Sequence, residues 1–161
     1  AEDGAATAMA DTSELTIPAI ARLFVSAFPD RIDFSERGWA SLEDCRYEPR
    51  AFWSALHSMC TVLYPLYRDG AVDKIGEFNS RSRFKLARGE GPQTRANSKF
   101  MHEREDVYQG RRLFIEPHIC SSVGDPNSPQ FIRIYFNWDE ETERLVIGDT
   151  KHLTNCMTRK L

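Results

Sequence analysis

The strongest constraint on how this chain can fold lies in residues 111–153, where three β-type runs are separated by turn-rich sequence. In RRLFIEPHIC, Leu113, Ile115 and Pro117 alternate with Phe114, Glu116, His118 and Cys120, and Pro117 marks an edge or a bulge because it has no amide hydrogen for a ladder. A connection dense in Ser, Gly, Asp, Asn and Pro spans residues 121–130. The next run, FIRIYFNW, sets Ile132, Ile134, Phe136 and Trp138 on one face and Phe131, Arg133, Tyr135 and Asn137 on the other. A charged turn at 139–143 returns the chain into LVIG, so the last two runs read as a hairpin. Upstream, residues 82–88 alternate basic and apolar side chains, as a strand does with one buried face, and supply a fourth strand.

Ahead of these strands the hydrophobic period is helical. Leu15, Ile20, Leu23, Phe24, Ala27 and Phe28 fall close to steps of three and four, with Thr12 and Ser13 as N-cap hydroxyls and Pro29 as the stop. A short helix over 35–43 starts from the Ser35 hydroxyl. The clearest helix runs over 50–64, where Phe52, Trp53, Leu56, Cys60, Leu63 and Tyr64 share one face and Pro65 is expected to kink or end it. His57 and Cys60 read as structural members of that helix. Residues 93–107 are polar and basic, a loop with a helical turn around 99–105.

A chain of 161 residues with 41% hydrophobic content buries one sizeable core. The expectation is therefore a single α+β domain over 1–161, with residues 1–12 flexible, a helical part over 13–78, and a sheet part over 80–153. The N-terminal helical layer would pack on an antiparallel sheet of about four strands. No apolar run approaches the roughly 20 residues needed to span a bilayer, no signal-peptide pattern opens the sequence, and the mean hydropathy is -0.49. Four widely spaced cysteines without a CxxC pair suit reduced thiols and a cytoplasmic setting. Phosphate-loop, dinucleotide, HExxH, GxSxG and EF-hand patterns are absent, which argues against nucleotide-hydrolysing and dinucleotide-dependent enzymes and implies no cofactor.

The net charge of -3 excludes a generally basic surface, yet its distribution is uneven. Residues 1–50 have ten acids against five bases, whereas residues 81–112 have nine bases against four acids. The basic segment is a place to hold a phosphate-bearing partner, with Lys85, Arg95, Lys99 and Arg104 as phosphate ligands; an acidic lobe docked on it, or a protein partner held by either region, is the alternative. On the sheet, His118, Arg133 and His152 are the candidate catalytic groups. Imidazoles exchange protons near neutrality, and an arginine in a central strand requires water, a carboxylate or a ligand. Tyr135 is the candidate base-stacking ring. A hydrogen-bonded pair of surface histidines with a salt-bridged arginine is the competing structural reading. His118, Cys120, His152 and Cys156 also make a possible tetrahedral zinc set, although their spacing lacks the tight cysteine pairs of a zinc knuckle.

The closing RIYFNWDEETERLVIGDTKHL resembles the last hairpin of the small RelE and HigB type toxins, in which an RIxY-like strand, an acidic turn and a V-I-type strand end near a basic residue or histidine. The resemblance covers 21 of the 161 residues. It implies a compact α+β ribonuclease acting on RNA without a metal, with Arg133 as the strand arginine, His152 as the C-terminal group and Lys85 as a strand lysine. The long helical half over 15–78 departs from the short helical hairpin of that family. A non-catalytic interaction module is the alternative function.

Overall fold

The computed structural model describes residues 15–153. Helix α1 (Ile17–Ala27) starts one turn later than the hydroxyls of Thr12 and Ser13, which lie outside the described residues; its cap is Thr16, whose side chain accepts from the Ala19 amide. Pro18 sits in the first turn, where a missing amide hydrogen costs nothing. Strand β1 (Ile32–Phe34) and helix α2 (Glu36–Ser41) follow, the latter capped by Ser35. Helix α3 (Pro49–Ser58) opens on Glu48, whose carboxylate accepts from the amides of Arg50 and Ala51.

Pro65 does not end that helix. The chain widens into a π-helical turn (Met59–Leu63), with the Tyr64 amide reaching Met59, and continues as α4 (Tyr64–Arg68). The wider turn absorbs the donor that proline lacks, so the apolar face runs on through Leu66. Helix α5 (Lys74–Arg81) completes the N-terminal layer and leads into β2 (Phe84–Ala87). Residues 93–107, expected as a loop with a helical turn around 99–105, form two short helices, α6 (Pro92–Arg95) and α7 (Ser98–His102), the second overlapping the expected turn, and begin β3 (Glu105–Tyr108). Strands β4 (Arg111–Phe114), β5 (His118–Ser121), β6 (Arg133–Asp139) and β7 (Arg144–Asp149) follow.

The main sheet is mixed and five-stranded, in the order β1-β7-β6-β5-β2, with β1 parallel to β7 and the other pairs antiparallel. This corrects the expected antiparallel sheet of about four strands. β1 has only three residues, too short for alternation to show, and its partner lies more than a hundred residues downstream. The run at 111–120 is also two elements: β4 pairs with β3 in a separate hairpin, and the chain breaks at Pro117 before β5 joins the main sheet.

One face of the sheet, carrying Phe84, Leu86, Ile119, Ile134, Phe136, Leu145 and Ile147, packs against α1, α3 and α4 to form the main core. Full burial of a side chain such as Ile134 or Phe136 stabilises the fold by about 1.5–3 kcal/mol. The opposite face is not open along its length, because the β3–β4 hairpin lays Tyr108, Leu113 and Ile115 over Tyr135 and Val146 as a second, smaller core. A bulge at Gly148 on β7 permits this: a Cβ there would stand 2.6 Å from both the Asp106 carboxylate and the Ile115 side chain. None of the helices formed by the described residues is long and apolar enough to cross a membrane.

Candidate functional site

Strand register decides which side chains share a face. Lys85, Cys120 and Arg133 align in one row across β2, β5 and β6; Ala87, His118, Tyr135 and Asp149 form the next row across β2, β5, β6 and β7. Aligned residues, and residues two apart on a strand, project on the same side. Lys85, His118, Cys120, Arg133 and Tyr135 therefore stand together on the face opposite the helical core, and His152 joins them just beyond β7.

His118 is buried, its ring 4.9 Å from that of Tyr135. Its Nδ1 lies 3.0 Å from the Glu116 carbonyl, which can only accept, so Nδ1 carries the proton and Nε2 is the basic nitrogen. Glu90 Oε1 stands 3.7 Å from the same Nδ1 and 3.3 Å from Arg104 Nη2, so a buried carboxylate separates the imidazole from a guanidinium. Burial pulls the His118 pKa below its ordinary value, the Arg133 and Arg104 charges add to this, and the Glu116 carbonyl and Glu90 oppose it.

Arg133 is the least compensated charge of the group. Its backbone is clamped: the Tyr47 hydroxyl accepts from the Arg133 amide at 3.1 Å and donates to its carbonyl at 3.0 Å. Its Nη1 donates to the Tyr135 hydroxyl at 3.3 Å, while its Nε is buried without an acceptor. Among the described residues no carboxylate comes within ion-pair distance of it. His152 lies half-buried beside it, with Nε2 also lacking a partner. Burial, then the Arg133 charge and His118, lower the His152 pKa to about 4. Both imidazoles are thus neutral at pH 7.

Three residues named from sequence are committed elsewhere. Arg104 has no exposed surface; it lies over the Tyr135 ring at 5.6 Å, donates to the Phe100 carbonyl and pairs with Glu90, so it is an internal strut and not a surface phosphate ligand. Arg95 directs Nε and Nη2 at Glu116 Oε2, 3.1 and 2.9 Å away. Tyr135 is fully buried between His118 and Arg104, so its ring cannot stack on a base, and only its hydroxyl serves the site. Lys99 is exposed on α7, outside both register rows, whereas Lys85 is exposed on the site's own row.

Of the possible zinc set, Cys156 lies outside the described residues, and no group of three or more His, Cys, Asp or Glu among the described ones could hold a metal. Burial raises the Cys120 thiol pKa, which keeps it protonated. His57 is exposed and Cys60 fully buried in the main core.

Sequence reasoning missed Glu90, Glu116 and Tyr47. Glu90 sits between Gly89 and Gly91, where the backbone turns; a Cβ on Gly89 would strike Glu116, so the glycine lets the Glu90 amide donate to that carboxylate at 2.9 Å. Tyr47 carried no pattern, because its partner lies 86 residues away. Comparison of the chain with protein-family models, with curated proteins and with solved structures finds no match.

Proposed function

We propose that this face of the sheet binds the phosphodiester of RNA and cleaves it without a metal ion, in the manner of the toxin-like ribonucleases that the C-terminal hairpin resembles. The observation that supports this reading is the half-buried Arg133, held in place by Tyr47 and Tyr135 but lacking a carboxylate partner among the described residues. A guanidinium whose Nε is shielded from water without an acceptor, and which has no counter-ion among the described residues, is costly, and an anionic ligand reduces that cost. Lys85, at the exposed end of the same row, adds a second cation.

The two histidines supply the proton transfers. His118, with Nδ1 fixed on the Glu116 carbonyl, takes the 2′-hydroxyl proton on Nε2 as the 2′-oxygen bonds to phosphorus. His152 gives its proton to the departing 5′-oxygen as the phosphorus–oxygen bond breaks, leaving a 2′,3′-cyclic phosphate and a 5′-hydroxyl. A bound phosphate supplies the negative charge that lifts the depressed His152 pKa, so the acid forms where substrate is present. Arg133 stabilises the charge on the non-bridging oxygens.

The test is RNA degradation in EDTA by the wild type and by Arg133→Ala, His118→Ala and His152→Ala. Cleavage to cyclic-phosphate ends, reduced about a hundredfold or more in each variant, supports the reading; intact RNA, or cleavage indifferent to all three changes, refutes it. A non-catalytic binding module is the second reading, favoured by the lowered pKa values that keep both imidazoles neutral at pH 7. RNA bound through Arg133 and left intact would be its signature.

A further inference from the structure

Beside the Arg133 face lies a cavity of about 350 Å³, lined among others by Tyr47, Asn127, Phe131, Lys151 and His152. It adjoins the anion site through two residues. Tyr47 contributes to its wall while its hydroxyl holds the Arg133 backbone, and His152 both lines the cavity and lies close enough to Arg133 to feel its charge. The Phe131 ring is half-exposed, with its centroid 6.1 Å from that of His152. A planar heterocycle of ordinary size fits this volume, and an accessible aromatic face next to a phosphate-binding arginine is the arrangement that receives an unpaired base while its phosphate is held.

We propose that this cavity is a nucleobase subsite, in which Phe131 stacks on the base of the nucleotide whose phosphate sits on Arg133, and that the substrate is therefore single-stranded RNA. The inference rests on the phosphate-binding reading above. Phe131 takes the role first expected of Tyr135, which the β3–β4 hairpin covers. Asn127, exposed in the 121–130 loop, offers both a donor and an acceptor to a base edge, and Lys151 supplies a cation at the rim. A base in a duplex is stacked on its neighbours and unavailable to such a cavity, which is why the site selects unpaired strands.

The experiment is calorimetric titration of the full chain with inorganic phosphate and with a nucleoside 3′-monophosphate, for the wild type, Phe131→Ala, Phe131→Leu and Arg133→Ala, each first shown to melt cooperatively. The wild type should bind the nucleotide roughly tenfold more tightly than phosphate, the gain expected from one base–aromatic stack. Phe131→Ala should bring the nucleotide down to the level of phosphate while leaving phosphate binding unchanged. Phe131→Leu, which retains bulk without an aromatic face, should lose most of the same gain and so separates stacking from packing. Equal affinity for nucleotide and phosphate in the wild type, or a preference that survives both Phe131 changes, overturns the base subsite while the anion site stands. Failure of both ligands to bind the wild type overturns the anion site, and the subsite with it.

Discussion

At the scale of single residues, the site depends on how charge is balanced under the β3–β4 hairpin. Glu90 lies between Arg104 and His118, with its side chain and that of Arg104 both removed from solvent. Glu90→Ala would leave a buried guanidinium without its principal carboxylate, at a cost of about 3–5 kcal/mol, read as a fall in urea midpoint. The histidines make a signed prediction about pH. Their folded pKa values lie below the unfolded value of about 6.5, so the unfolded chain takes up protons that the native site refuses. Their contribution to stability is complete above pH of about 6.5 and is lost as pH falls towards the His152 value of about 4. Thermal melts of the wild type and His152→Gln across that window should converge, the variant showing the weaker pH dependence. Parallel curves would mean that His152 is not buried in its neutral form.

At the scale of elements, the hairpin determines what the far side of the sheet can do. It reaches β7 only because Gly148 lacks a side chain, and Gly148→Ala should cost about 1–3 kcal/mol through overpacking against Ile115, measured as a lower Tm. An unchanged Tm would show that the hairpin is loosely seated. This element also explains what sequence did and did not disclose. Alternation in FIRIYFNW located β6, put Ile134 and Phe136 on the core side and placed Arg133 and Tyr135 on the other. It could not show that a second layer covers Tyr135, because alternation reports two faces and not what lies over each. β1 was equally hidden, being a parallel addition of three residues, and the π-turn went unseen because Pro65 reads as a stop whether or not the preceding turn widens to accept it. The residues bearing imidazole and guanidinium groups were recognisable by type. Their carboxylate and tyrosine partners were not, since Glu90, Glu116 and Tyr47 are brought in by tertiary packing.

At the scale of the whole molecule, part of the uneven charge along the chain is resolved by internal ion pairs. Arg95 binds Glu116, Arg104 binds Glu90, Arg111 binds Asp139 and Glu141, and Arg112 binds Glu105, whereas the ion pairs among the described residues do not engage Arg83, Lys85, Arg88 or Lys99. No ion pair among the described residues joins an acid of residues 15–50 to a base of the segment 81–112; Arg37 links α2 to Asp149, and Ser35 donates to Asp106. Within the site, Arg133 has no counter-ion among the described residues and stands beside two neutral imidazoles, in a protein of net charge -3. Anion binding there should strengthen as pH falls from about 7.5 to about 5.5, because the ligand raises the histidine pKa values and binding takes up protons. The most direct measurement is an NMR titration of the full chain with dimethyl phosphate, a diester whose charge is constant over that range, following Arg133 Nε–H and the ring nitrogens of His118 and His152. The site described here predicts that all three shift together, more strongly at the lower pH, and that Arg133→Ala abolishes the imidazole response; resonances that stay still while the ligand binds elsewhere, or does not bind, would contradict it.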